Sequence, residues 1–168
     1  MELVKLHITA EFVRDRTALT WREVLFGIDN ELLSPEAAVD LAAGQVATLE
    51  APAPALLELA GLSPGEPTRH LVESLAAAAD AVEDRGALQK KWLYLVLAWI
   101  FEHRSSYPEP LRAVEEVYAD FGYPEAVASF VRFMPMIGPD LGSKEDNERR
   151  LFESWKQYLD EASREYGR

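Results

Sequence analysis

The chain has no cysteine among its 168 residues, which excludes disulfides and thiolate-bound metals. That suits a reducing compartment, so a cytoplasmic location is expected. Histidine is scarce as well. His7, His70 and His103 never fall into HxxxH or HExxH spacing, so no metal is expected. His103 ends an apolar stretch, where its ring suits the negative end of a helix dipole. Phosphate-cradling and nucleophile motifs are missing: there is no GxGxxG, no Walker loop and no GxSxG, and no cofactor is expected. Ser105 and Ser106 follow His103 closely, but proximity in sequence does not assemble a triad. The longest apolar run, WLYLVLAWIF at 92–101, is about half of the roughly 20 residues a membrane span needs. The N-terminus, MELVKLHITAEFVRDR, lacks a basic start followed by an unbroken apolar run, so a signal peptide is not expected.

Basic residues are few and unevenly placed. The net charge is −12, and not one Lys or Arg lies between Arg22 and Arg69. That interval holds Glu23, Asp29, Glu31, Glu36, Asp40, Glu50, Glu58 and Glu66, which is two thirds of the excess charge. Lys90-Lys91 and Arg149-Arg150 are the only basic doublets, and no basic stripe with interleaved aromatics exists. Such a surface repels phosphates, so nucleic acid is not the expected ligand. It would attract a basic protein and speed encounter with it. Glu23, Asp29, Glu31, Glu36, Asp40 and Glu50 are the candidate partner-binding residues. The adjacent acids Glu115-Glu116 and Glu145-Asp146 point to different helix faces and read as solvated surface.

What is present is helix. Thr20-Trp-Arg-Glu23 is a capping-box pattern opening a helix to about Leu33. Ser34-Pro35-Glu36 opens the next, with Ser as N-cap and Pro at the first helical position. The proline-rich stretch 51–67 is too apolar for a free linker and reads as a short helix at 54–60, stopped by Gly61. Helices follow at 68–83, from Ala87 to about Arg104, and at 109–121, 124–133 and from Ser143 to about Glu165. The segment from Trp92 to Phe101 has no polar face and belongs at the centre of a bundle. Of the tryptophans Trp21, Trp92, Trp99 and Trp155, Trp21 is the one expected to be partly exposed. LVKLHI at 3–8 hints at a strand without a partner, so an extended arm or a first helical turn is expected. The fold class is all-α: a single compact multi-helix bundle of seven or eight helices over residues 1–168, with solenoid-like stacking of helix pairs as a variant.

YADFGYP at 118–124 reads as a helix stop followed by a start. Gly122 supplies the left-handed conformation. Tyr123 precedes proline and is expected to be extended. Pro124 opens the next helix. Asp120 sits poorly at the negative end of its own helix. Its carboxylate is expected to accept from backbone N–H groups near 123–126 or from a side-chain donor, and full exposure would instead favour a binding role.

Three stretches carry a resemblance: TWREVLFGIDNELLSPEAAVDLA at 20–42, YPEPLRAVEEVYADFGYPEAVASFVRFMP at 107–135, and SKEDNERRLFESWKQYL at 143–159. The chain resembles a bacterial family of uncharacterised proteins known as a domain of unknown function. The second stretch is the specific one. The resemblance implies no catalytic residues. Small, acidic, cysteine-free helical proteins of this kind are also similar to immunity proteins, which neutralise a cognate and often basic toxin. The expected function is therefore a non-enzymatic, cytosolic protein-binding module of immunity type. The competing readings are a helical enzyme with a carboxylate-lined cleft and a structural homo-oligomer joined through apolar helix faces.

Overall fold

Eight α-helices and two short 3₁₀ segments make up the regular structure of the computed structural model, which describes residues 6–79, 84–135 and 138–167. The fold is all-α, and among the described residues no strand forms. The chain groups into two compact units, residues 5–88 and 89–167.

The first unit begins with an extended segment. Ile8 makes an isolated parallel bridge with Leu33, its N–H donating to the Leu32 carbonyl at 3.2 Å. Leu6 and Ile8 are both buried. The arm reading thus holds for residues 6–8, and residues 3–5 lie outside the described part. Helix α1, Ala10–Arg16, was not foreseen; Thr9 caps it by accepting from the Phe12 N–H.

Helix α2, Trp21–Asp29, starts with the expected capping box at Thr20 and Glu23. It ends four residues before the expected Leu33. Glu31 takes a left-handed φ of 56°, and the N–H groups of Leu32 and Leu33 turn back to the Gly27 carbonyl. That reversal buries Leu32 and Leu33 rather than extending the helix.

Helix α3, Pro35–Val46, is capped by Ser34, and α4, Pro54–Ala60, falls where the sequence puts it. Helix α5, Arg69–Ala77, is shorter than the expected 68–83, whose residues 80–83 lie outside the description. In this unit α2 packs mainly on α5, and α3 on α4.

The second unit is centred on α6. This helix runs Arg85–Glu102, starting two residues before the expected Ala87 and crossing the boundary between the units. Every residue from Trp92 to Ala98 is buried, as a helix without a polar face requires. Helix α7, Pro110–Asp120, buries Leu111, Val114, Val117 and Tyr118. Helix α8, Lys144–Tyr166, is capped by Ser143 Oγ, which accepts from the Asp146 N–H at 3.1 Å. Its Trp155 is fully buried among three rings, edge-on to Phe101 and stacked with Phe130 and Phe152.

Between α7 and α8 the expected helix 124–133 is instead a 3₁₀ segment, Glu125–Phe130, with Pro124 just before it. Its Val127 and Phe130, three residues apart, share the buried face that 3₁₀ geometry gives them.

The turn before it corrects one expectation. Tyr123 is not extended but left-handed, with φ 60° after Gly122 at 76°. The Tyr123 N–H donates to the Tyr118 carbonyl at 2.8 Å and the Gly122 N–H to Ala119 at 3.1 Å, the paired bonds of a Schellman motif. Those bonds and the contact of the two tyrosine rings outweigh the preference that Pro124 imposes. Asp120 is half-buried, with Oδ2 out of solvent contact, so a fully exposed carboxylate is not found. One of the donors expected to serve it, the Tyr123 N–H, is taken by the Tyr118 carbonyl.

Candidate functional site

The six candidate acids all belong to the 5–88 unit and have different fates. Glu23 is buried, and its Oε2 accepts from the Thr20 N–H at 2.8 Å while Thr20 Oγ1 accepts from the Glu23 N–H. It serves the start of α2. Asp29 is gripped by Arg69, whose Nε and Nη2 donate to its two oxygens at 2.8 and 3.2 Å. Arg69 also reaches Glu73. Its guanidinium pKa is raised, first by the hydrogen bond it donates to Asp29 and then by the charges of Asp29 and Glu73.

The other four, Glu31, Glu36, Asp40 and Glu50, are exposed, and among the described residues none of them pairs with a Lys or Arg.

Three arginines of this unit are turned to other acceptors. Arg22 donates from Nε to the Ala76 carbonyl at 3.2 Å and from Nη2 to the Ala79 carbonyl at 3.1 Å. It thereby serves the carbonyl end of α5, where a cation is favoured. Arg14 donates to the main-chain oxygen of Asp40, not to its carboxylate. Arg16 bonds the Phe12 carbonyl and lies over the Phe12 ring, 3.6 Å from its centroid. Arg14, Arg16 and Arg22 thus satisfy backbone and a ring, and the surface acids other than Asp29 and Glu73 keep their field.

Glu36 and Asp40, one turn apart on α3, meet Glu66 around a shallow recess of about 180 Å³ that also takes in Val39, Leu62 and Thr68. Like charges four apart destabilise a helix by about 0.2–0.5 kcal/mol. Glu66 came to this place only through the fold; its carboxylate accepts from the Ser63 N–H. Among the described residues no group of three acids or histidines is close enough to hold a metal ion. The recess is smaller than the roughly 300 Å³ at which small-molecule sites begin, and suits a single side chain. Exposed Leu49 and Leu57 each stand beside an acid in sequence, Glu50 and Glu58.

Several acids of the 89–167 unit pair with bases. Glu115 takes both Nε and Nη2 of Arg132 at 2.6 and 3.1 Å, and Arg112–Glu116, Arg149–Asp146 and Lys156–Asp160 also pair. This unit contains the largest of the cavities described, a half-open groove of about 730 Å³ between α8 and the 126–135 segment. Val131, Met134, Leu151 and Tyr158 give it apolar walls, and Arg132, Lys144 and Arg150 bring three cations to its lining. Tyr158 is half-buried there, and burial, then the charges of Tyr166 and Glu165, push its phenol well above the usual tyrosine range. Glu148 and Glu161 also line the groove, but thirteen residues of α8 hold them roughly 20 Å apart, too far to act as an acid–base pair. Sequence reading had no signal for this groove, because its walls come from segments that read as ordinary amphipathic structure.

No helix among the described residues is long and apolar enough to cross a membrane. The chain belongs to the family described as uncharacterized protein conserved in bacteria (DUF2247), whose model matches residues 10–163. No curated protein and no solved structure matches the chain.

Proposed function

We propose that the chain is a cytoplasmic protein-binding module that uses the acidic face of its 5–88 unit to engage a basic protein, in the manner of an immunity protein neutralising a toxin. One observation carries this reading. Glu31, Glu36, Asp40 and Glu50 stand exposed and unmatched by any described Lys or Arg, while Arg14, Arg16, Arg22 and Arg69 of the same unit are committed to carbonyls, to the Phe12 ring and to Asp29. A surface selected for solubility alone gains nothing from holding Glu36, Asp40 and Glu66 around one recess. A lysine or arginine of a partner would fit there and relieve the repulsion, and Leu49 and Leu57 offer apolar contact once the charges have steered the encounter.

The test is capture from the native cell, read by mass spectrometry, with the wild-type chain and with Glu36→Lys/Asp40→Lys. The reading expects a basic protein that the wild type retains and the variant loses. A partner held equally by both would overturn it, as would a partner of acidic character.

A further inference from the structure

The groove of the 89–167 unit is a second, chemically different site. We infer that it receives a partner segment with apolar side chains along its length and carboxylates at one end. Three features on the molecule point to this occupant.

The first is shape. Lys144 to Glu161 of α8 line the groove, which at 1.5 Å per residue makes it roughly 25 Å long. Its volume of about 730 Å³ is spread along a helix and stays half open, as a trough for a chain rather than a closed chamber.

The second is polarity. In a chain of net charge −12, this concavity is lined by three cations against two acids, with Arg132 also held by Glu115 and Lys144 3.9 Å from Glu148. The cations cluster at one end. Lys144 and Arg150 are in the first two turns of α8, and Arg132, from the opposite wall, feels the charge of Glu148. The positive end of the α8 dipole adds to them. Counting Glu148 and the Glu115 that holds Arg132, this end keeps one cation in excess, while Glu161 is the charged lining residue at the other end. An occupant with its carboxylates toward the start of α8 matches that order.

The third is an aromatic platform at the flank. Phe133 and Tyr123 are 60% and 63% exposed. Both rings rest on Tyr118, at 5.8 and 5.3 Å between centroids, and the Tyr118 hydroxyl contacts Met134 Sδ on the groove wall at 3.8 Å. Exposed aromatics fixed by their neighbours beside Met and Arg are the composition of binding hot spots. The specific stretch 107–135 builds this platform and one wall of the groove.

The experiment is selection from a random 16-residue peptide library displayed on phage, against the full chain and two variants. Lys144→Glu changes a side chain that is 82% exposed, and Ser154→Trp fills the middle of the groove. Thermal melting confirms that each variant is folded. The expected result is enrichment of peptides with apolar residues followed by acids, whose affinity falls at least tenfold in each variant and is untouched by Glu36→Lys/Asp40→Lys. Three results would overturn the inference: no enrichment, enrichment of basic peptides, or binding indifferent to both groove variants. Because the acidic-face variant is carried alongside, failure here and failure of the proposed function are read separately.

Discussion

Thr20 and Glu23 exchange hydrogen bonds across the first turn of α2, each side chain accepting from the other's backbone N–H at 3.2 and 2.8 Å. The exchange holds Glu23 in a buried position, 6% exposed, within a segment whose other acids face outward. Glu23→Ala should therefore lower stability by about 1 kcal/mol, the usual worth of a cap. It should leave partner affinity within twofold of wild type. Chemical denaturation and a binding titration on the same preparation check both halves.

Backbone conformation makes a paired prediction. Gly122 has φ 76° with nothing within 4 Å of an added Cβ, so Gly122→Ala is opposed by the backbone alone. The expected loss is about 1 kcal/mol. Glu31 is the reverse case: an exposed residue with a Cβ at φ 56°. Glu31→Gly should be neutral or stabilise by up to about 1 kcal/mol, since relief of the left-handed strain exceeds the entropy glycine adds to the unfolded chain. A urea midpoint that falls for Gly122→Ala and holds or rises for Glu31→Gly would bear this out.

Acid should loosen the start of α8 in a defined window. Asp140 accepts from Asn147 Nδ2 and from the Gly142 N–H, both at 2.9 Å, and these bonds hold its pKa below the ordinary carboxylate value. A group depressed in the folded state contributes stability above its unfolded pKa, about 3.9, and loses it as pH falls through the folded value. The Gly142 amide resonance should stay constant from pH 7 to about 4 and move only below that. In Asp140→Asn the step should vanish.

The single-domain reading also has a direct consequence. The boundary between the two compact units falls inside helix α6, between Leu88 and Gln89, with no loop at the division. We propose that residues 1–168 unfold as one domain, which predicts one calorimetric transition with matching van't Hoff and calorimetric enthalpies. Two separated transitions would divide the chain into independent domains.

Local chemistry was legible in the sequence, and long-range chemistry was not. Thr20, Ser34 and Ser143 announced three helix starts, and Gly122 a helix stop, because a cap needs only its neighbours. The apolar run at Trp92 placed the core helix for the same reason. The early end of α2 escaped notice because it depends on Glu31 adopting a left-handed φ that its side chain disfavours. Tyr123 deceived in the same way, its pre-proline preference overridden by bonds and a ring contact back to Tyr118.

The candidate site was half readable. The lysine-free interval was plain, but which acids stay unmatched depended on where Arg22 and Arg14 reach, and those carbonyls are 54 to 57 and 26 residues away. Glu66 joined Glu36 and Asp40 only once α3 and the loop after α4 had packed together.

The central claim is that the exposed acids of the 5–88 unit steer a basic partner. It is tested most directly by the association rate of the captured partner, measured from about 50 mM to 500 mM salt, since screening shortens the reach of these charges from over 10 Å to under 5 Å. The account predicts a rate that falls at least tenfold over that range for wild type, and a slower, nearly flat dependence for Glu36→Lys/Asp40→Lys. A wild-type association rate that ignores salt would contradict it.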